Sequence, residues 1–179
     1  MHYLKLVGSI EGICKMLIRK LQIEDAKQFL ELTKITDAET PFLYFEENER
    51  KTTLEEQVKY IKDGQEKGFV SLIAVTNDTL IAYALGFTFE VNRRKHCMSI
   101  AIAVLQEFSR KGLGTQLLSE LIEKGKAKGI TRFELDVSVN NPIAINLYKK
   151  MGFVIEGERQ QSYLIDGEFD NDYIMAKII

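Results

Sequence analysis

The feature that most restricts the fold of this chain is a change of apolar period at Gly112. Upstream, residues 69–76, 80–91 and 96–105 read as strands, separated by turn signals at Asn77-Asp78 and Asn92-Arg93-Arg94-Lys95. Three antiparallel strands in a row are expected there. Downstream, Leu113, Leu117, Leu118, Leu121 and Ile122 recur at helical spacing, with Gln116, Glu120, Glu123 and Lys124 on the other side. That amphipathic helix ends near Gly129, and residues 133–139 return as a strand.

The flanks complete a β-α-α-β-β-β-α-β-α-β-β order. Residues 16–21 read as a strand, and Ile23-Glu24-Asp25 opens a helix with acids at its positive end. Residues 35–51, with Pro41, Phe42, Tyr44, Phe45 and the acids Glu46, Glu47 and Glu49, read as a loop. Thr53 and Glu56 form a capping box for a second helix reaching about Gln65. Pro142 opens a short helix that Gly152 ends, and residues 153–161 and 169–178 are strands around an Asp166-Gly167 turn.

With 179 residues and no repeat or linker, one domain over residues 16–179 is expected, preceded by a surface extension, residues 1–15. A hydrophobic share of 45% with 28% charged residues describes an ordinary globular protein. No apolar run approaches the roughly 18 residues of a membrane span. The start lacks the basic residues and long apolar core of a signal peptide, so a cytoplasmic location is expected. A net charge of −2 argues against a nucleic-acid binder. Cys14 and Cys97 cannot build a disulfide framework, and no Cys/His cluster has metal-ligand spacing.

Two constellations carry chemistry. In Ser109-Arg110-Lys111-Gly112-Leu113-Gly114-Thr115, a strand hands over to a helix. The first helical turn has unpaired N–H groups and partial positive charge. Gly112 and Gly114 would let a phosphate approach the backbone, and Arg110 and Lys111 add charge. The segment suits metal-free pyrophosphate binding, or simply a basic loop that starts a helix. A dinucleotide fingerprint, with Glu134 and Asp136 about twenty residues on, fits worse: its third glycine position is Leu117, and the preceding strands are antiparallel. The second constellation is Asn141-Pro142-Ile143-Ala144-Ile145-Asn146-Leu147-Tyr148, followed by Gly152-Phe153. Taken singly, Asn141 reads as a helix cap and Tyr148 as a core aromatic.

Together the two segments resemble the GNAT superfamily of N-acetyltransferases, in which a Gly-x-Gly loop is followed about thirty residues later by Asn-x-x-Ala-x-x-Leu-Tyr and then Gly-Phe. The resemblance covers residues 16–179 and is most specific over 98–153; Ser109 stands where the family prefers Gln or Arg. It implies an α/β fold with a mixed, mostly antiparallel sheet, a splayed parallel strand pair and about four flanking helices. It implies acetyl-CoA as co-substrate, an amine as acceptor, no metal, and direct attack in a ternary complex. The strand around 100–105 would diverge from its parallel neighbour around 133–139 and hold the pantetheine arm through main-chain atoms of Ala103, Val104 and Leu105. The N–H of Val104 or Leu105 would lie near the thioester carbonyl. Gly112, Leu113, Gly114 and Thr115 would receive the pyrophosphate, Asn141 and Ala144 would face the CoA arm, and Tyr148 would donate a proton to the sulfur.

The proton acceptor is open. The strand 98–104 has no acid. Glu134 and Asp136 share one face of their strand and are the leading candidates, ahead of Glu90 and His96. Cys97 reads as a buried small hydrophobe. The C-terminal segment from Glu156 to Lys177 resembles a bacterial branch acting on small amines, amino acids or protein N-termini. The acids Glu46, Glu47 and Glu49 would suit a cationic acceptor. A homodimer through the C-terminal strands or the first 15 residues is a further expectation. A non-catalytic acyl-CoA-binding module is the competing reading.

Overall fold

The structure is a computed structural model that describes residues 5–7 and 16–179. The surface extension expected over residues 1–15 therefore lies outside the described residues, apart from one strand. In chain order the elements are β1 (Lys5–Val7), β2 (Met16–Lys20), α1 (Ala26–Glu39), α2 (Leu54–Glu66), β3 (Val70–Thr76), β4 (Thr79–Thr88), β5 (Cys97–Val104), α3 (Leu113–Lys126), β6 (Arg132–Ser138), α4 (Pro142–Lys150), β7 (Val154–Ile165) and β8 (Glu168–Ile178). The strands form one sheet in the order β1-β2-β3-β4-β5-β6-β8-β7. Every neighbouring pair is antiparallel except β5 and β6.

Local chemistry sets the breaks. Asn77 and Asp78 both have positive φ and close the β3–β4 hairpin; Asp166 and Gly167 do the same for β7–β8. Thr53 Oγ1 accepts from the Glu56 N–H at 3.2 Å, and the Glu56 carboxylate accepts from the Thr53 N–H at 2.8 Å, so the capping box opens α2.

Each face of the sheet has its own core. On one face α3 contributes Leu117, Leu118 and Leu121, all fully buried, against Met98, Phe133 and Met175, and α4 adds Ile145 and Tyr148. Burying each such side chain stabilises the fold by roughly 1.5–3 kcal/mol. On the other face Phe29 and Leu32 of α1 and Ile61 of α2 pack on Ile73, Tyr83 and Leu85. Consecutive residues of β4 therefore face different cores, and its run from Leu80 to Leu85 is buried throughout.

α1 differs from expectation by continuing to Glu39, through what reads as loop. The reason is that its inward positions there are polar. Thr36 and Asp37 are buried, Thr36 donating to the Thr33 carbonyl at 2.9 Å and Asp37 accepting from Arg50. β4 stops at Thr88 instead of running to residue 91. β7 runs on past residue 161 to Ile165, over a bulge between Arg159 and Tyr163 where Gln161 has positive φ.

Candidate active site

The parallel pair β5–β6 is joined only over Cys97↔Arg132, Met98↔Phe133 and Ser99↔Glu134. Beyond Ser99 the strands part, while β5 stays paired to β4 up to Val104 and β6 to β8 up to Ser138. The gap is part of a cleft of about 720 Å³. The Leu105 N–H donates to the Ile81 carbonyl on the β4 side at 3.0 Å. Alternation then turns the polar groups of residues 101 and 103 toward β4, and those of Ile102 and Val104, beyond the last β6 pairing, into the gap. Backbone donors and acceptors without a strand partner thus line one wall, a template for an extended amide-bearing chain. Of the main-chain contacts expected from sequence, Val104 faces the gap, Ala103 lines the cleft with its polar groups turned to β4, and the Leu105 N–H is already taken. Ile102 is a cleft residue that the sequence reading missed.

At the far end of this wall α3 begins. Gly112 sits in the left-handed region (φ +82°), with open space where a Cβ would project. Arg110 is also left-handed (φ +60°). Gly114 packs closely: a Cβ there would lie 3.2 Å from Leu147 Cδ2, which would have to give by a few tenths of an ångström, and 3.9 Å from Val104 Cγ2. The first-turn N–H groups of α3 therefore open onto the cleft, where Arg110, Gly112, Gly114 and Thr115 are lining residues. Leu113 is buried in the core beneath, and Lys111 Nζ lies 5.5 Å from the Phe108 ring centroid. Ser109 turns its hydroxyl back to the Leu105 carbonyl at 3.3 Å.

The opposite wall is α4. Asn141 Oδ1 accepts from the Ala144 N–H at 3.1 Å, so the cap reading of Asn141 holds; Asn141 and Ala144 also line the cleft. Tyr148 lines it too and is only 6% exposed. Burial pushes its phenol well above the ordinary tyrosine value, with no charged or hydrogen-bonded partner acting on it among the described residues. The group therefore keeps its proton. Its ring packs against Phe153 at 5.8 Å, tying α4 to the residue after Gly152.

The two leading acids part company. Glu134 lies where β5 and β6 are still zipped together, and its carboxylate is held by Arg94 and by Arg132 Nε, the latter at 2.9 Å. It is not among the residues that line the cleft. Asp136, two residues on, does line it and meets Arg159 at 2.6 Å; Arg159 also holds the fully buried Asp172 at 2.5 Å. Glu90 and His96 are exposed away from the cleft lining, and Cys97 is buried at the zipped end. Glu46, Glu47 and Glu49 are exposed on the loop after α1, outside the cleft. Among the described residues, no group of three or more His, Cys, Asp or Glu is placed to hold a metal. Nor is any helix among them long and apolar enough to cross a membrane.

Residues 29–153 match the Acetyltransferase (GNAT) family. The chain belongs to that family. The L-amino acid N-acetyltransferase of Escherichia coli is 31% identical over 112 residues, covering 62% of this chain and 69% of that protein. An N-alpha-acetyltransferase of Sulfurisphaera tokodaii is 31% identical over 169 residues, 89% of this chain and 90% of that protein. The crystal structure of a GNAT acetyltransferase from Streptococcus pneumoniae superposes with a TM-score of 0.88 at 29% identity, covering 92% of this chain and 99% of that one. The GNAT fold expected from the sequence is thus present, with the one parallel pair splayed where the resemblance puts the donor.

Proposed function

We propose that the protein transfers the acetyl group of acetyl-CoA directly to a primary amine, with the donor held in the β5–β6 gap and Tyr148 beside its sulfur. The observation that supports this most is the unpaired inner edge of β5 leading straight to the first turn of α3. Bound acetyl-CoA supplies an activated thioester. The polar groups of Ile102 and Val104 would pair with the pantetheine amides. The Val104 N–H, turned away from β4, would donate to the thioester carbonyl as it gains charge. The N–H groups of residues 112–115, with Arg110 and Lys111 adding charge, would take the pyrophosphate. Asn141, its Oδ1 committed to the cap, would offer its Nδ2 hydrogens to the CoA arm, with Ala144 beside it.

Tyr148 donates a hydrogen bond to the sulfur as negative charge develops there. The apolar surroundings disfavour thiolate and phenolate alike, so the phenol's proton would pass to the leaving sulfur and the phenolate would regain one from solvent as product leaves. Asp136, which lines the cleft and bridges to Arg159, would accept the amine proton, directly or through one water. Glu134, clamped between two guanidiniums, has no such role.

The acceptor is a small amine, an amino acid or a peptide N-terminus. Relatives bearing amino-acid and N-alpha names support the last two. β5 carries no acid, which favours, as the second reading, an acyl-CoA-binding module without catalysis. Titrating acetyl-CoA against a panel of amines while following free thiol separates them: release with at least one amine is expected, and tight binding without release on any amine would favour the module. A cytoplasmic monomer or homodimer fits this chemistry. Val154, Leu164 and Phe169 leave the C-terminal strands an apolar exposed surface, and light scattering after size exclusion tests for the dimer.

A further inference from the structure

The fourteen residues 40–53 between α1 and α2 hold no helix or strand, a length at which a structureless loop in a domain usually has a function. Phe42 and Tyr44 from this loop line the cleft. Its own hydrogen bonds are local: the Phe42 N–H donates to Thr40 Oγ1 at 3.3 Å, the Glu46 N–H to Glu49 Oε2 at 2.9 Å, and Lys51 Nζ to the Asn48 carbonyl at 2.7 Å. Two longer-range contacts fasten it. Arg50 donates through Nε to Asp37 Oδ2 at 2.6 Å and through Nη2 to Oδ1 at 3.0 Å. Asp37 faces inward from the last turn of α1, its side chain 2% exposed. Further along, Tyr44 stacks on Tyr163 of β7, ring centroids 5.8 Å apart. Tyr163 lines the cleft as well. The loop is thus a strap, anchored on α1 and leaning on β7.

A two-pronged guanidinium–carboxylate contact fixes orientation as well as distance, which an ammonium cannot reproduce. Arg50 also lies 4.2 Å over the Phe45 ring, so the same residue fixes the strap's midsection. Neither Asp37 nor Arg50 lines the cleft itself. We propose that the Asp37–Arg50 clamp positions the wall that recognises the amine, so that both are positioning residues acting through Phe42 and Tyr44. This rests on the acetyl-transfer reading. The residues assigned to the donor on β5 and α3 lie outside the strap, and the two substrates should therefore respond differently.

The test is steady-state kinetics of Arg50→Gln and Asp37→Asn with the amine that wild type uses best, alongside hydrogen exchange of residues 41–47. Expected are at least a tenfold rise in KM for the amine, a KM for acetyl-CoA within twofold of wild type, and at least tenfold faster exchange in the strap. Arg50→Lys should fall between. Should Asp37→Asn fail to fold, Arg50→Gln and the highly exposed Tyr44→Ala still decide, the latter raising the amine KM with the ion pair intact. Equal rises in both KM values, or an unmoved amine KM in an active Arg50→Gln enzyme, would overturn the clamp alone. A wild type that releases thiol with no amine would overturn the transfer reading and the acceptor role with it, while the exchange rates would still show whether Arg50 holds the strap.

Discussion

Replacing Tyr148 by Phe should separate catalysis from folding. The phenol is buried, has no hydrogen-bond partner among the described residues, and is raised by desolvation alone. Removing its oxygen leaves no orphaned partner, so stability should change by no more than about 0.5 kcal/mol. In turnover the same oxygen faces a sulfur that becomes anionic. A hydrogen bond to a charged group contributes about 1.5–3 kcal/mol, which corresponds to a fall in kcat of about 10- to 150-fold. The KM for acetyl-CoA should stay within twofold, because the neutral thioester needs no such donor. The assay is thiol release at saturating amine, with thermal melts of both proteins. A kcat within threefold of wild type, or a KM that rises as far as kcat falls, would refute the role. A collapse in melting temperature would show that the hydroxyl has a structural partner after all. Because burial raises the phenol, its ionisation should not limit the alkaline side of the rate profile, and wild type and Tyr148→Phe should share that limb's shape up to about pH 10.

Gly114→Val should weaken CoA binding at least tenfold by calorimetry, because even a Cβ presses on Leu147 at 3.2 Å; binding within twofold would remove the close-approach argument. Glu134→Gln should keep kcat/KM within about threefold while Asp136→Asn lowers kcat at least tenfold, and the opposite ranking would return Glu134 to the site. Asp172→Asn should cost about 2–3 kcal/mol in chemical denaturation, less than a fully buried pair because Arg159 is half-exposed and keeps Asp136. Burial pushes the Asp172 carboxyl up, but Arg159 and the Ser162 hydroxyl outweigh it and hold it below the usual range. Its contribution is therefore present above about pH 4 and lost as pH falls through the lower folded value, so the variant should show a flatter acid limb of stability; identical limbs would contradict this.

The order of elements from β2 to β8, the Asp166-Gly167 turn and the α3 and α4 starts were legible because each is written in local chemistry: period, cap, glycine or proline. The end of α1 was not, since Thr36 and Asp37 break the apolar period while being buried by partners elsewhere in the chain. Alternation correctly placed Glu134 and Asp136 on one face of β6. It could not tell that the sheet opens between them, because the point where β5 and β6 part depends on long-range pairing. The choice between Val104 and Leu105 likewise waited on which one bonds Ile81. Tyr163 enters the cleft only through the bulged β7–β8 register, which leaves no local trace in the sequence.

A crystal structure of the protein with CoA tests the central claim most directly. The expected density has its pyrophosphate on the backbone N–H groups of residues 112–115, its arm between β5 and β6, and its sulfur within about 3.5 Å of the Tyr148 hydroxyl. Coenzyme bound anywhere else, or a gap closed by pairing of Ile100–Val104 with β6, would contradict it.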